Sequence, residues 1–301
     1  MTLKENQKNL NTFIEYIAYN EGLSQNTQKA YNNNIQQFNK YIRENKITIT
    51  QENINTTVED YKTHLTRDQH LKTTTINNYL ITITKYLTYK NYNVNKIKPK
   101  KLTRNETIEK EVHYFTDNEI QELKTTLEQS NNKQKERTKL LIDVMYQTGL
   151  RIHEALNITV QEYHEAETIN QLKILNIIGK GNKKRIICIK SNLQEQINKY
   201  LANRTKQSPY IFNTNKSDQM TTRTAQRLIK DLGIKTDQRL KTNKYSSKAH
   251  PHSFRHSFAI NAINKASINK VQKMLGHSNI NTTQIYTNIN KNEMIEAYAQ
   301  I

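Results

Sequence analysis

Apolar side chains recur at three- and four-residue intervals through residues 1–95, and that spacing predicts a run of helices. Phe13, Ile14 and Ile17 mark one over Asn11–Asn20. Ser24 stands where an N-cap would open the next, over Thr27–Glu44, whose Tyr31, Ile35, Phe38, Tyr41 and Ile42 share a face. Val58–Leu65 is shorter, and Thr73–Lys90 carries the stripe Ile76, Leu80, Ile83, Leu87 with Lys85 and Lys90 on other faces. These stripes build a core, and nothing in the region points to chemistry.

The periodicity fails over residues 96–112, where Lys-Ile-Lys-Pro-Lys-Lys-Leu-Thr-Arg is basic and holds a proline, so this segment reads as a linker between a helical unit, 1–95, and a second unit, 113–301. Beyond it, Thr116 followed by Glu119 forms a capping-box signature for a helix reaching Ser130. Lys135–Thr148 is strongly apolar and stops at Gly149, a C′ residue. Leu172–Ile178 and Arg185–Ile189 alternate like strands around the turn Gly179-Lys180-Gly181-Asn182-Lys183-Lys184. Thr221–Leu232, His252–Lys265, Ile268–Leu275 and Asn281–Tyr286 read as helices, and Asn292–Ile301 as a last one with Met294, Ile295, Tyr298 and Ile301 on one side. The fold class that follows is mainly α with a small β-sheet or hairpin, in two domains.

Charge changes the picture most. Lys and Arg number 46 against 27 acidic residues, a formal net charge of +19, and a polyanionic partner suits that balance because each cation set on a phosphate releases a counterion. The excess is shared: residues 1–100 hold 14 basic and 8 acidic groups, and residues 101–301 hold 32 and 19, so both units are drawn to the same polyanion. No basic amphipathic anchor or lipidation motif argues for a membrane surface instead. Cys188 is the only cysteine, which excludes an intramolecular disulfide and fits a reducing cytoplasm. Met1-Thr2-Leu3-Lys4-Glu5 leads into polar sequence with no apolar signal core, and no stretch approaches the ~18 apolar residues of a spanning helix.

Candidate chemistry lies in the second unit. His250-Pro251-His252-Ser253-Phe254-Arg255-His256 is dense in functional side chains, and on a helix His252 and Arg255 share a face. Arg151 follows Thr148-Gly149-Leu150, and His277 follows Gly276, where a backbone can approach a ligand closely. Tyr286 is one of 17 tyrosines and says nothing by itself. His250, His252, His256 and His277 also invite a metal reading. Arg255 among them would repel a cation and no acid or cysteine accompanies them, so no metal is expected.

Taken in order, Thr148–Leu156, Gly179–Lys183, His252–Ala259 and Leu275–Tyr286 resemble the sequence blocks of the tyrosine recombinases (the phage-integrase family), with a tighter likeness to compact Xer-type members. The runs Ser24–Tyr41 and Thr74–Tyr89 are similar to that family's SAM-like core-binding domain, so the likeness covers nearly the whole chain. It implies a two-domain architecture: a SAM-like helical domain, then a mixed, mostly helical catalytic domain. It also implies a site-specific recombinase that cleaves and rejoins double-stranded DNA through a 3′-phosphotyrosine and a Holliday junction, without metal, ATP or other cofactor.

The chemistry calls for these residue types. A phosphodiester attacked by a phenol gathers negative charge on its non-bridging oxygens, which Arg151 and Arg255 would clamp, with His277 donating a further hydrogen bond. Lys180 would protonate the departing 5′-oxygen, His252 would assist proton transfer, and Tyr286 would be the nucleophile. Lys183 and Lys184 are alternatives to Lys180 as the acid. Glu154, three residues after Arg151, reads as an orienter or cap, and His256 as a supporting or core histidine. Arg223 and Arg227 either face DNA or form a solvated basic face, and Lys183 is a further DNA contact. The resemblance further implies a homotetramer on paired sites, with the 292–301 tail docking on a neighbouring subunit. A DNA-bridging protein that has lost cleavage, and a type IB topoisomerase, remain open at this point. So does the choice among phage, plasmid, transposon and chromosome substrates.

Overall fold

The computed structural model describes residues 3–95, 112–131, 134–179 and 184–276, with side chains from residue 10 onward. It divides into two units, residues 1–110 and 111–301. The first holds α1 (Leu3–Glu21), α2 (Gln25–Glu44), α3 (Ile54–Arg67) and α4 (Thr73–Tyr89). Ser24 caps α2 as expected, its hydroxyl accepting from the Thr27 amide at 3.3 Å. The apolar stripes meet in two clusters. Phe38, Ile54, Val58, Tyr61 and Leu65 pack on Ile76, Leu80, Ile83 and Leu87, and Leu10, Phe13 and Ile17 pack on Ile35 and Tyr86. Each large apolar side chain so buried is worth about 1.5–3 kcal/mol. Two helices are longer than their stripes suggest. α1 reaches back to Leu3 through residues 4–9, which are polar and so carry no stripe, and α3 begins at Ile54, which is fully buried one turn before Val58.

The second unit runs through α5 (Asp117–Glu128), α6 (Lys135–Thr148), α7 (Ile152–Asn157), α8 (Val160–Glu165), β1 (Thr168–Ile169), β2 (Leu172–Ile178), β3 (Lys184–Ile189), α9 (Ser191–Asn203), α10 (Thr222–Leu240), α11 (Lys244–Lys248), α12 (Pro251–Ile263) and α13 (Ile268–Leu275). The Thr116–Glu119 capping box forms in full, with the Glu119 amide donating to Thr116 and the Thr116 amide donating back to the Glu119 carboxylate at 2.8 Å. The strands make an antiparallel meander in the order β1-β2-β3. Leu175 opposite Ile187 and Lys173 opposite Ile189 set the register, which turns Leu175, Ile177, Ile187 and Ile189 inward. α6 is the central element: Leu140, Leu141, Ile142, Val144 and Met145 are all buried, with α12 packed against it.

The sequence pattern missed α7, α8, β1, α9 and α11. α7, α8, β1 and α11 are too short to show a period, and α9 offers only Leu193 and Ile197 as fully buried positions. α10 runs to Leu240, two turns past the expected Leu232, because Thr236 and Asp237 are buried polar residues that hide the stripe. The expected linker, apart from Val112, and the expected helices Asn281–Tyr286 and Asn292–Ile301 lie outside the described residues. No described helix is long and apolar enough to cross a membrane.

Candidate active site

The turn between α6 and α7 sets the first side chain. Gly149 ends α6 at φ +66°, in the left-handed region, and two residues later Arg151 opens α7 in extended backbone. The sharp reversal needs a residue without a Cβ for a second reason. An added Cβ would lie 2.4 Å from Cδ1 of Phe258 on α12. α7 is capped from within: the carboxylate of Glu154 accepts from the Arg151 amide at 2.7 Å and from Arg151 Nη1 at 3.0 Å. The Arg151 side chain remains about one-quarter exposed while the Glu154 side chain is fully buried.

Arg255 reaches the same place from α12. Pro251 stands at the start of this helix, where its fixed φ fits and its missing N–H costs nothing. Arg255 is 3 % exposed, and its guanidinium donates from Nη1 to the Gly149 carbonyl and from Nη2 to the Leu275 carbonyl, both at 2.5 Å. One side chain thus joins the α6–α7 turn to the end of α13. His252, one turn earlier on α12, is near enough to both guanidiniums to feel them. Desolvation by its surroundings, then the charges of Arg255 and Arg151, hold its imidazole below the usual histidine range even though its outer edge meets solvent. The two guanidiniums and the desolvation thus both favour its uncharged form. His256, half-buried on the next turn, is pushed down to about 4 by desolvation and then by His252 and Arg255, which suits a supporting histidine.

The structure accordingly brings Arg151, His252 and Arg255 together. Lys180, Lys183, His277 and Tyr286 lie outside the described residues. Arg223 and Arg227 are exposed on α10 and line a cleft of about 630 Å³ with Thr221, Lys230 and His250, the residue just before α12. That cleft is a cationic surface beside the helix that carries His252 and Arg255.

One participant escaped the sequence reading. Arg185, on β3, donates from Nη1 and Nη2 to the two carboxylate oxygens of Glu154 at 3.0 and 2.7 Å, and from Nε to the Met274 carbonyl at 3.1 Å. Burial alone would raise the Glu154 pKa. The Arg185 hydrogen bonds, the Arg151 amide and both guanidinium charges outweigh it and bring the pKa down to about 2. The signal was present in the strand alternation: Arg185 has the same phase as Ile187 and Ile189, the inward-facing residues, and a cation on the core side of a strand calls for a buried partner.

Known proteins resemble this chain in sequence and in fold. Tyrosine recombinase XerD of Staphylococcus haemolyticus is 29% identical over 299 residues, covering 96% of either chain. Tyrosine recombinase XerC of Staphylococcus epidermidis is 27% identical over 301 residues, covering 95% of this chain and 94% of its own. Among solved structures, a XerH site-specific recombinase bound to difH substrate superposes with a TM-score of 0.68 at 20% identity, over 96% of this chain and 94% of its own. The Tn1549 transposon integrase in complex with a circular intermediate DNA gives 0.71 at 14% identity, over 97% and 99%. At those identities the two structures speak for the fold alone. The phage integrase N-terminal SAM-like domain model matches residues 10–91, and the phage integrase family model matches residues 113–293, the stretch that carries Arg151, His252 and Arg255. By that match over more than half its length, the chain belongs to the phage integrase family.

Proposed function

We propose that this chain is a site-specific DNA recombinase in which Tyr286 attacks a phosphodiester held by Arg151 and Arg255. The observation that carries the reading is the convergence of those two guanidiniums on His252, with Arg255 fastened to the Gly149 carbonyl two residues before Arg151. Guanidiniums stay charged at any working pH and offer forked donors to phosphate oxygens, so they stabilise the charge that builds up in the pentacoordinate state. His252 takes the phenolic proton as the Tyr286 oxygen bonds to phosphorus. The bond to the 5′-oxygen breaks, Lys180 supplies the proton to that oxygen, and a 3′-phosphotyrosine remains. His277 donates to the same phosphate. Attack by the 5′-hydroxyl of a partner strand reverses the step and conserves the bond, so an external energy source is not needed.

Double-stranded DNA is the partner that the +19 charge and the Arg223–Arg227 cleft favour. The Met294, Ile295, Tyr298, Ile301 stripe supports a homotetramer on paired sites in which each tail docks on a neighbour, since such a stripe left bare is an association hazard. Cytoplasmic work on chromosomal, plasmid or mobile-element DNA fits the lack of disulfide chemistry.

The decisive experiment incubates the protein with nicked suicide substrates drawn from its own genetic locus. Wild type is expected to form a covalent protein–DNA adduct and Tyr286→Phe none. An adduct that persists in Tyr286→Phe overturns the assignment of the nucleophile. Removal of residues 292–301 is expected to leave adduct formation on a single site intact and to abolish cooperative pairing of two sites. Unchanged pairing refutes docking in trans.

A further inference from the structure

Glu154 poses a problem that the cleavage chemistry alone does not solve. A carboxylate with a pKa near 2 sits against Arg151, and a bidentate carboxylate–guanidinium pair is a strong one. Left alone with Arg151, Glu154 would draw both arms of that fork onto itself and occupy the donors that a phosphate needs. The observed contact is smaller: Arg151 gives Glu154 its backbone amide and Nη1 only. The rest of the carboxylate is taken by Arg185, which meets both oxygens with both of its terminal nitrogens.

The geometry points to Arg185 as a positioning residue for the cleavage step: it saturates Glu154 so that Arg151 keeps donors for the scissile phosphate, and it fastens the end of α13 to the same carboxylate. This rests on the recombinase reading given above. Three observations support it. The Arg185 side chain is only 9 % exposed, so it is committed to these partners and not to solvent or DNA. Its Nε bonds the Met274 carbonyl, three residues before His277 in the chain. The closing residue of α13, Gly276, turns at φ +65° directly over this side chain, and a Cβ there would stand 2.9 Å from Arg185 Cδ. Arg185 therefore meets α7 through Glu154 and α13 through its backbone, and it lies five residues after Lys180. Lysine could supply the charge at this position, but not the three divergent donors.

The test is single-turnover cleavage of the suicide substrate by wild type, Arg185→Met, Arg185→Lys, Glu154→Gln and the double variant Arg185→Met/Glu154→Gln, alongside site binding by each. The arm that protects the larger reading is wild type. If wild type makes no adduct, the recombinase reading has failed and Arg185 is not at issue. Given wild-type cleavage, Arg185→Met is expected to lose roughly 10²-fold in rate, the scale of one misplaced oxyanion donor, with DNA affinity within about 3-fold. Arg185→Lys should recover part of the loss. The discriminating arm is the double variant. Glutamine still caps the Arg151 amide but has no charge with which to capture the guanidinium, so cleavage should rise about 10-fold above Arg185→Met. A purely structural Arg185 predicts that the second substitution makes matters worse. Arg185→Met within about 3-fold of wild type, or a double variant slower than the single, overturns the proposal. If Arg185→Met does not fold, the comparison of Arg185→Lys with Arg185→Lys/Glu154→Gln decides in the same way.

Discussion

Replacing Gly149 by alanine tests how much of the site is held by one backbone turn. The perturbation has two parts. At φ +66° a side chain on the left-handed backbone costs about 1–2 kcal/mol. The added methyl would also stand 2.4 Å from Cδ1 and 2.9 Å from Cε1 of Phe258, a ring that packs on Ala259, Val271 and Leu275. Shifting that ring in a filled cluster costs about 1–3 kcal/mol more. The sum is a loss of about 2–5 kcal/mol. It is read as the urea midpoint of the transition of the unit that carries the substitution, followed by far-ultraviolet dichroism. Gly22 supplies the control, because it has a similar φ of +59° with nothing within 4 Å of the added methyl. Gly22→Ala should show only the backbone part, and Gly149→Ala/Phe258→Ala should recover the steric part while leaving a new cavity. Cleavage should fall as well, since the Gly149 carbonyl receives Arg255. Equal costs for the two glycine variants, or full cleavage by Gly149→Ala, would refute the reasoning.

Two further outcomes follow from the same geometry. Glu154 has its pKa lowered from an ordinary 4.5 to about 2 on folding, so its contribution, about 3 kcal/mol, is fully present above pH 4.5 and is lost as the pH falls through 2. Between pH 6 and pH 3 wild type should lose about 2 kcal/mol by urea denaturation that Glu154→Gln does not lose, and parallel acid limbs for the two proteins would count against the assignment. Arg255→Lys keeps the charge but cannot reach the Gly149 and Leu275 carbonyls together. Its adduct formation should drop about 10²–10³-fold with little change in site affinity, and a rate near wild type would show that charge alone suffices.

What a sequence pattern reveals depends on how locally the structure repeats it. Long stripes such as Ile76, Leu80, Ile83, Leu87 betray a helix because every turn repeats the burial, and the Thr116–Glu119 box betrays a start because its two hydrogen bonds are local. Arg151, His252 and Arg255 were legible through the blocks that surround them, and the structure adds what those blocks cannot: which carbonyls hold Arg255 and which carboxylate holds Arg151. Short elements such as α7 and α8 were illegible, since six residues give less than two turns in which to show a period. Arg185 was illegible for another reason. Its partners, Glu154 and Met274, are 31 residues before it and 89 after it, and no local pattern records a contact made across such distances. Its inward phase on β3 is the one local sign of a buried partner, and it does not say which partner.

That separation matters beyond the finished site. Arg255 joins carbonyls of Gly149, 106 residues earlier in the chain, and Leu275, 20 residues later, and Arg185 spans distances of the same order. Contacts this remote in sequence form only when the second unit has closed as a whole, because the loops they bridge must pay their closure entropy first. A nascent, nicked or half-melted chain would hold its arginines on solvent, not on phosphate. For a protein that cuts and rejoins DNA strands, the order of assembly is then a safeguard: the capacity to cut appears last, together with the fold that can also rejoin.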